Sequence, residues 1–325
     1  MAFSQMYRLM CVVIFSLSFV SVQSMAKVGY NPLLYQINIK GKTAYLFGSI
    51  HIGQADFYPL PLQVERAFSL ASALVVEAKP NNDEILPLML KYGRKQYPIN
   101  KEVQSLLTQY CQSRAQFCAQ IADFSPWVQA LQISLMRYGS MGLSGQFGVD
   151  VTLMRKNGDR PLYELESTEA QLSLLASFSG KIQWNMLKES IHTSRADMLL
   201  LVDAWRQGNE PLLTTLIEGQ LIESNENIKR DIMKEKTVTD SEGSLTELTS
   251  NAKPSSLISQ LLWQRNQTMA LGIERLLNNQ DLDVLFVVVG VGHLVGDKNI
   301  QSVLLKKGAT IKNCWQQDCF NTQVK

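Results

Sequence analysis

The chain has 325 residues, 46% of them hydrophobic, enough to bury a sizeable core. Lys and Arg number 31 against 29 Asp and Glu, a net charge of +2. That balance lacks the basic surplus of a general nucleic-acid binder and makes polyanions poor ligands.

Arg8 precedes an apolar run from Leu9 to Val22 broken only by Ser16, Ser18 and Ser21. Small residues follow, with Val22 and Ser24, or Ser24 and Ala26, in the positions before a cleavage site. The pattern predicts a secretory signal peptide over residues 1–24 and a periplasmic or secreted mature chain. A membrane anchor is the competing reading, but the run is shorter than the ~20 residues needed to span a bilayer. No later stretch is long and apolar enough, so no transmembrane anchor is expected in the mature chain. Cleavage removes Cys11 and leaves Cys111, Cys118, Cys314 and Cys319. An even count in an exported chain predicts two local disulfides, 111–118 and 314–319. On one continuous helix Cys111 and Cys118 would stand ~10 Å apart, beyond the ~7 Å bridging limit. Their bond therefore demands a turn near Gln112 to Arg114. A zinc site is the alternative, but no histidine lies near either pair.

Leu33–Ile39 and Thr43–Phe47 read as a hairpin around Lys40-Gly41-Lys42. The second strand runs into Gly48-Ser49-Ile50-His51. Pro59–Ser72 has helical spacing, and Ala73–Ala78 is a short buried-type strand that carries Glu77 and stops at Pro80. Residues 82–140 read as helical, with breaks at Tyr97-Pro98 and Phe124-Ser125-Pro126; Ser125 with Pro126 is a helix start. Phe147–Lys156 is a further helix and Pro161–Leu165 a strand. Thr168 to Gln171 has capping-box spacing. Residues 180–222 read as helical, 223–256 as a polar, mobile or solvated excursion, and Leu257–Asn279 as a long helix. Asp283–Val289 is the clearest central strand and ends in Gly290-Val291-Gly292-His293. A helix at Lys298–Lys306 stops at Gly308, and Ala309–Lys312 is the last strand. The whole is α/β, with a central sheet built from N- and C-terminal strands and a largely helical middle. We read residues 25–325 as one domain with helical insertions at 81–145 and 180–256.

The chain has three histidines: His51, His192 and His293. Two share one context, Gly48-x-x-His51 and Gly290-x-x-His293, each after a hydrophobic strand and each followed by another glycine, Gly53 and Gly296. Ligands of open α/β sheets bind beyond the carboxyl ends of strands, where two such ends can bring two imidazoles together. Two unrelated loop histidines are the alternative. His192 is mid-helix and reads as an ordinary surface residue. Glu77, at a third strand end, is costly to bury unless paired or bound to a metal. Glu164 and Glu166 flank the end of the 161–165 strand. Asp150 follows Gly148-Val149 where it could cap a helix, and Arg265 and Asn266 sit in an amphipathic one.

These pieces, Gly48-Ser49-Ile50-His51, Val75-Val76-Glu77, Gly148-Val149-Asp150, Leu165 to Gln171, Arg265-Asn266 and Gly290 to Gly296, occur in the order seen in the TraB/GumN family. The chain resembles that family, to which the TIKI-type metalloproteases also belong. The stretch 223–256 is longer and more polar than the family pattern. The resemblance implies a hydrolase of peptide or amide bonds in which both Gly-x-x-His motifs serve a divalent metal such as Mn, Co, Zn or Fe. It points to His51, His293, Glu77 and Glu166 as ligands. Arg265 and Asn266 join His51, Glu77 and His293 as catalytic candidates, for holding substrate or an oxyanion. Gly48, Gly290, Gly292 and Asp150 are expected to shape the cofactor site. The competing functions are a metal-free hydrolase with His51 as general base oriented by Glu77, and a protein that captures a metal or small ligand without turnover.

Overall fold

A computed structural model describes residues 30–80, 82–219, 221, 257–279 and 281–320. The expected signal peptide and the polar stretch 223–256 lie outside the described residues. Six strands form one mixed sheet: β1 (Leu34–Ile39), β2 (Lys42–Ser49), β3 (Ala73–Val76), β4 (Leu162–Glu164), β5 (Val284–Gly290) and β6 (Thr310–Asn313), in the order β4-β3-β5-β2-β1-β6. The β1–β2 hairpin turns on Lys40 and Gly41 alone. Both have positive φ, 50° and 81°, as a two-residue turn matched to strand twist requires.

β2, β5, β3 and β4 are mutually parallel, with Ser49 opposite Gly290, Val76 opposite Val288 and Val76 opposite Glu164. Their carboxyl ends therefore share one edge of the sheet. Here the residues after each strand, His51, His293, Glu77 and Glu166, are brought together. β5 sits centrally and is buried on both faces, which explains its unbroken run of Leu285 to Val289.

The helical middle is more divided than the sequence suggested. Between β3 and β4 lie α2 (Asn82–Tyr92), α3 (Lys101–Cys111), α4 (Ala115–Ile121), α5 (Pro126–Gly139) and α6 (Val149–Lys156); α1 (Leu62–Leu70) precedes β3. Ser125 is the α5 N-cap as expected, but its hydroxyl donates to Lys95 O and accepts no hydrogen bond from the helix N–H groups. Phe147 belongs to a separate 3-10 turn, because Gly148 is extended and caps α6. α7 (Thr168–Ser177) is capped by Ser167, one residue before the expected Thr168; Ser167 Oγ accepts from Ala170 N. The region after it divides into α8 (Gly180–His192), α9 (Arg195–Gln207) and α10 (Glu210–Thr214). Ser194 with Asp197 makes a reciprocal capping box at α9, and Gly208 ends α9 with φ 59°. Gln264–Leu277 forms α11 and Ile300–Lys306 forms α12, with π-helical turns at Thr215–Gly219 and Ser259–Trp263.

Both disulfides form as expected. Cys111–Cys118 spans 5.9 Å between Cα atoms, across the break between α3 and α4, and Cys314–Cys319 spans 5.3 Å. A main core surrounds the sheet. A smaller one, including Val103, Ile121, Ile133, Trp184 and Leu187, lies among α3, α4, α5 and α8. Among the described residues no helix is long and apolar enough to cross a membrane.

Candidate functional site

The start of α6 is built against His51. Gly148 abuts the His51 carbonyl so closely that a Cβ there would lie 2.5 Å from its oxygen. Val149 N–H donates to Ile50 O at 3.0 Å. Asp150, in the first turn of α6, then meets the His51 ring, with Oδ2 3.2 Å from Nδ1. The Gly-Val-Asp motif thus docks one helix onto one histidine, and Asp150 is a ring partner rather than a cap.

His293 stands in the 3-10 turn Val291–Leu294 directly after β5 and is 4% exposed. Its Nδ1 lies 2.5 Å from Asn266 Oδ1. Gly292 lets this turn pack under the π-helical turns Thr215–Gly219 and Ser259–Trp263: a Cβ would meet Ile217 at 3.3 Å and Leu262 at 3.5 Å. Gly48 serves packing in the same way, against Val291 and Leu294 at 3.1 and 3.2 Å.

Glu77 is buried at the end of β3 and has a donor on each oxygen. Oε2 accepts from Gly290 N at 2.8 Å. Oε1 accepts from Arg265 Nη2 at 2.5 Å and from Gln171 Nε2 at 2.8 Å. Burial by itself raises a carboxyl pKa, but His293, His51 and Arg265 together hold Glu77 well below the usual carboxylate range. Arg265 also grips Glu166, with Nε 3.0 Å from both oxygens and Nη2 2.8 Å from Oε2. Glu166 therefore faces a guanidinium, and Arg265 spends its remaining Nη1 donor on Leu261 O. Glu164 departs from Glu166; it is exposed and accepts from Lys79 N at 3.2 Å.

The two Gly-x-x-His motifs meet at Gly290. A point where its Cβ would stand is 3.2 Å from Glu77 Oε2, 3.7 Å from His293 Cδ2 and 3.9 Å from His51 Nε2. His293 Nε2 is 3.6 Å from Glu77 Oε2. A cleft of about 290 Å³ opens here, lined in part by Ser49, His51, Glu77, Asp150, Thr168 and Gln171. The hydroxyls of Ser49 and Thr168 both donate to backbone carbonyls, Val289 O at 3.2 Å and Lys79 O at 3.4 Å.

Among the described residues no group of three or more His, Cys, Asp or Glu is spaced to hold a metal ion. The donor chemistry nevertheless suits a divalent cation. Each imidazole has its Nδ1 against an oxygen acceptor, the outer arrangement that aims Nε2 of a ligating histidine. Arg265 pairs with Glu77 and Glu166, and Asp150 pairs with His51; three carboxylates against one guanidinium leave a surplus of two negative charges when both imidazoles are neutral. His51 registers that surplus. Crowding in the cleft opposes charge on the ring, although 67% of its side-chain surface remains open. Asp150 and then Glu77 favour the imidazolium, and the balance lifts its pKa to about 9. His51 Nε2 and the Glu77–His293 pair surround one small volume but do not yet close on a common centre.

Sequence reasoning missed Gln171 as a Glu77 partner and Trp205, whose buried indole N–H donates to Gly48 O at 2.8 Å and fixes the end of β2. Gln171 was visible in the Leu165–Gln171 motif, one turn into a helix that starts beside the strand end. Trp205 reaches β2 from α9, and no local pattern announces that contact.

Residues 33–313 match the TraB/PrgY/gumN family. The chain is similar to the "Uncharacterized protein YbaP" of Shigella flexneri and of Escherichia coli (strain K12), 26% identical over 148 and 147 residues. Each of those matches covers 42% of this chain and 53% of the relative, so the chain spans about half the length of these curated relatives. It is also similar to a "Metalloprotease TIKI homolog" of Amphimedon queenslandica, 36% identical over 55 residues, which is 17% of this chain and 11% of that protein. No solved structure matches. With its motifs at the parallel strand ends and the match running from β1 to β6, the chain belongs to the TraB/PrgY/gumN family.

Proposed function

We propose that this is an exported, metal-dependent hydrolase acting on peptide or amide bonds, with His51, His293 and Glu77 as the residues that hold the cation. The observation that carries this reading is the convergence of His51 Nε2, the His293 ring and Glu77 Oε2 around one point beside Gly290. Export rests on the N-terminal apolar run and on two disulfides, which persist in oxidising compartments. The peptide or amide substrate rests on the local similarity to the TIKI homologue.

When bound, a divalent cation supplies Lewis acidity toward a carbonyl oxygen and lowers the pKa of water. The rest falls to the chain. Arg265 and Gln171 hold Glu77 Oε1, which leaves Oε2 directed at the cleft beside Gly290. Glu166 holds Arg265 in turn and so acts as a positioning residue, not a ligand. Asp150 holds His51 Nδ1 and so keeps the Nε2 edge facing the cleft. Ser49 and Thr168 donate to backbone carbonyls, which are too weakly basic to activate a hydroxyl, so water is the nucleophile in this reading.

The His51–Asp150 pair favours a second reading, metal-free hydrolysis with His51 as general base oriented by Asp150 instead of Glu77. Purified mature protein, assayed on a peptide library before and after chelation, separates the two. Hydrolysis lost in chelator and restored by Mn²⁺, Co²⁺ or Zn²⁺ supports the metal reading. Hydrolysis undiminished by chelation supports the second, and metal uptake without any product leaves a binding protein.

A further inference from the structure

Four residues of α11, Met269, Ala270, Ile273 and Leu277, form a buried apolar stripe, and Asn266 occupies the next place along it at 1% exposure. An amide in such a place is costly unless both its ends are paired. Both are. Asn266 Nδ2 donates to Lys298 O at 2.8 Å, and Oδ1 faces His293 Nδ1 at 2.5 Å. A carbonyl only accepts, so the edge of the amide facing Lys298 must be its NH₂ group and the edge facing His293 must be its oxygen. His293 Nδ1 must then carry a hydrogen. Lys298 is itself anchored, with Nζ 3.6 Å from the centre of the Trp263 ring. The sequence offered Asn266 as an oxyanion or substrate donor, but its NH₂ is committed to this carbonyl.

We propose that Asn266 is a positioning residue that fixes the His293 tautomer, holding the hydrogen of the neutral ring on Nδ1 and turning the bare Nε2 toward the cleft. The two histidines share a motif but not a partner. His51 faces a carboxylate, which supports either protonation state; His293 faces an amide oxygen whose orientation the backbone dictates. His293 Nε2 and Glu77 Oε2 stand 3.6 Å apart, too far for a hydrogen bond. Two lone-pair atoms thus flank a gap that a cation can fill. The consequence for metal binding rests on the proposed metal site; the tautomer assignment does not.

The test is nitrogen-15 NMR of histidine-labelled, metal-free protein, where only three imidazoles contribute. Wild type is expected to show His293 with hydrogen on Nδ1 and a bare Nε2. Asn266→Asp keeps an acceptor for Nδ1 although it loses the donor to Lys298 O, so hydrogen should stay on Nδ1. Asn266→Leu should shift the ring toward the Nε2–H form and weaken Zn²⁺ binding by calorimetry ~10–100-fold, the usual cost of removing such a support. A wild-type His293 with hydrogen on Nε2 overturns the assignment, as does an unchanged tautomer in Asn266→Leu. If wild type holds the Nδ1–H form yet binds no metal, the metal reading falls and the role of Asn266 stands.

Discussion

The two site histidines differ most at the scale of single residues. Asp150 and Glu77 raise the His51 pKa to about 9 against the crowding of the cleft. A group whose pKa is higher folded than unfolded stabilises the fold fully below its unfolded value, near 6.5 here, and loses that contribution as pH rises through about 9. Metal-free protein should therefore lose thermal stability between these two values, and Asp150→Asn or His51→Ala should flatten that part of the pH–Tm profile. An unchanged profile in both variants would show that the pair does not carry the shift. Arg265 predicts a larger effect. It is mostly buried and joins Glu77 to Glu166, so Arg265→Met leaves two buried carboxylates without their cation. Breaking one partner from a buried pair costs roughly 3–5 kcal/mol, measurable by urea unfolding; a loss near zero would contradict the clamp. His51, His293 and Glu77 stood out in the sequence because each lies within three residues after an apolar strand. Their partners were legible as residues but not as roles. Asp150, Asn266 and Glu166 are assigned by what stands opposite them, and those contacts join segments far apart in the chain.

At the scale of elements, glycine decides how close the pieces approach. Gly290 has φ −53° and ψ 136°, an ordinary conformation for any residue. Its role is spatial, because a methyl group there would stand 3.2 Å from Glu77 Oε2 between the two imidazoles. Gly290→Ala is expected to keep the wild-type circular dichroism spectrum while losing most metal uptake; full uptake would place the site elsewhere. Cys111–Cys118 closes a short loop within the smaller helical core. Replacing both with Ser should cost roughly 2–4 kcal/mol and raise hydrogen exchange in α3 and α4 while β2 and β5 stay protected. Uniform loss of protection would mean that the two cores unfold together. Strands β2 and β5 were readable because apolar runs ending in glycine have few other meanings. The divisions of residues 180–222 were missed although Ser194 and Asp197 stand at capping-box spacing, because amphipathic spacing continues across the break. Ser167 was overlooked for Thr168 because the two are adjacent and both are good N-caps.

At the scale of the molecule, sheet order creates the site. The sequence identified the strands that close the chain at both ends, but not that β5 inserts between β2 and β3. Pairing between segments this distant depends on burial of whole faces, which no local pattern encodes. Once β5 is central and parallel to both neighbours, the motifs after β2, β3 and β5 have one common edge on which to meet. Metal titration of metal-free mature protein by calorimetry tests that meeting directly. Wild type is expected to bind about one equivalent of Mn²⁺, Co²⁺ or Zn²⁺. His51→Ala and His293→Ala should each abolish most of that binding, and the double variant should be little worse than either, because ligands of one ion act as a unit. Undiminished binding in both single variants, or losses that simply add in the double variant, would contradict a shared site.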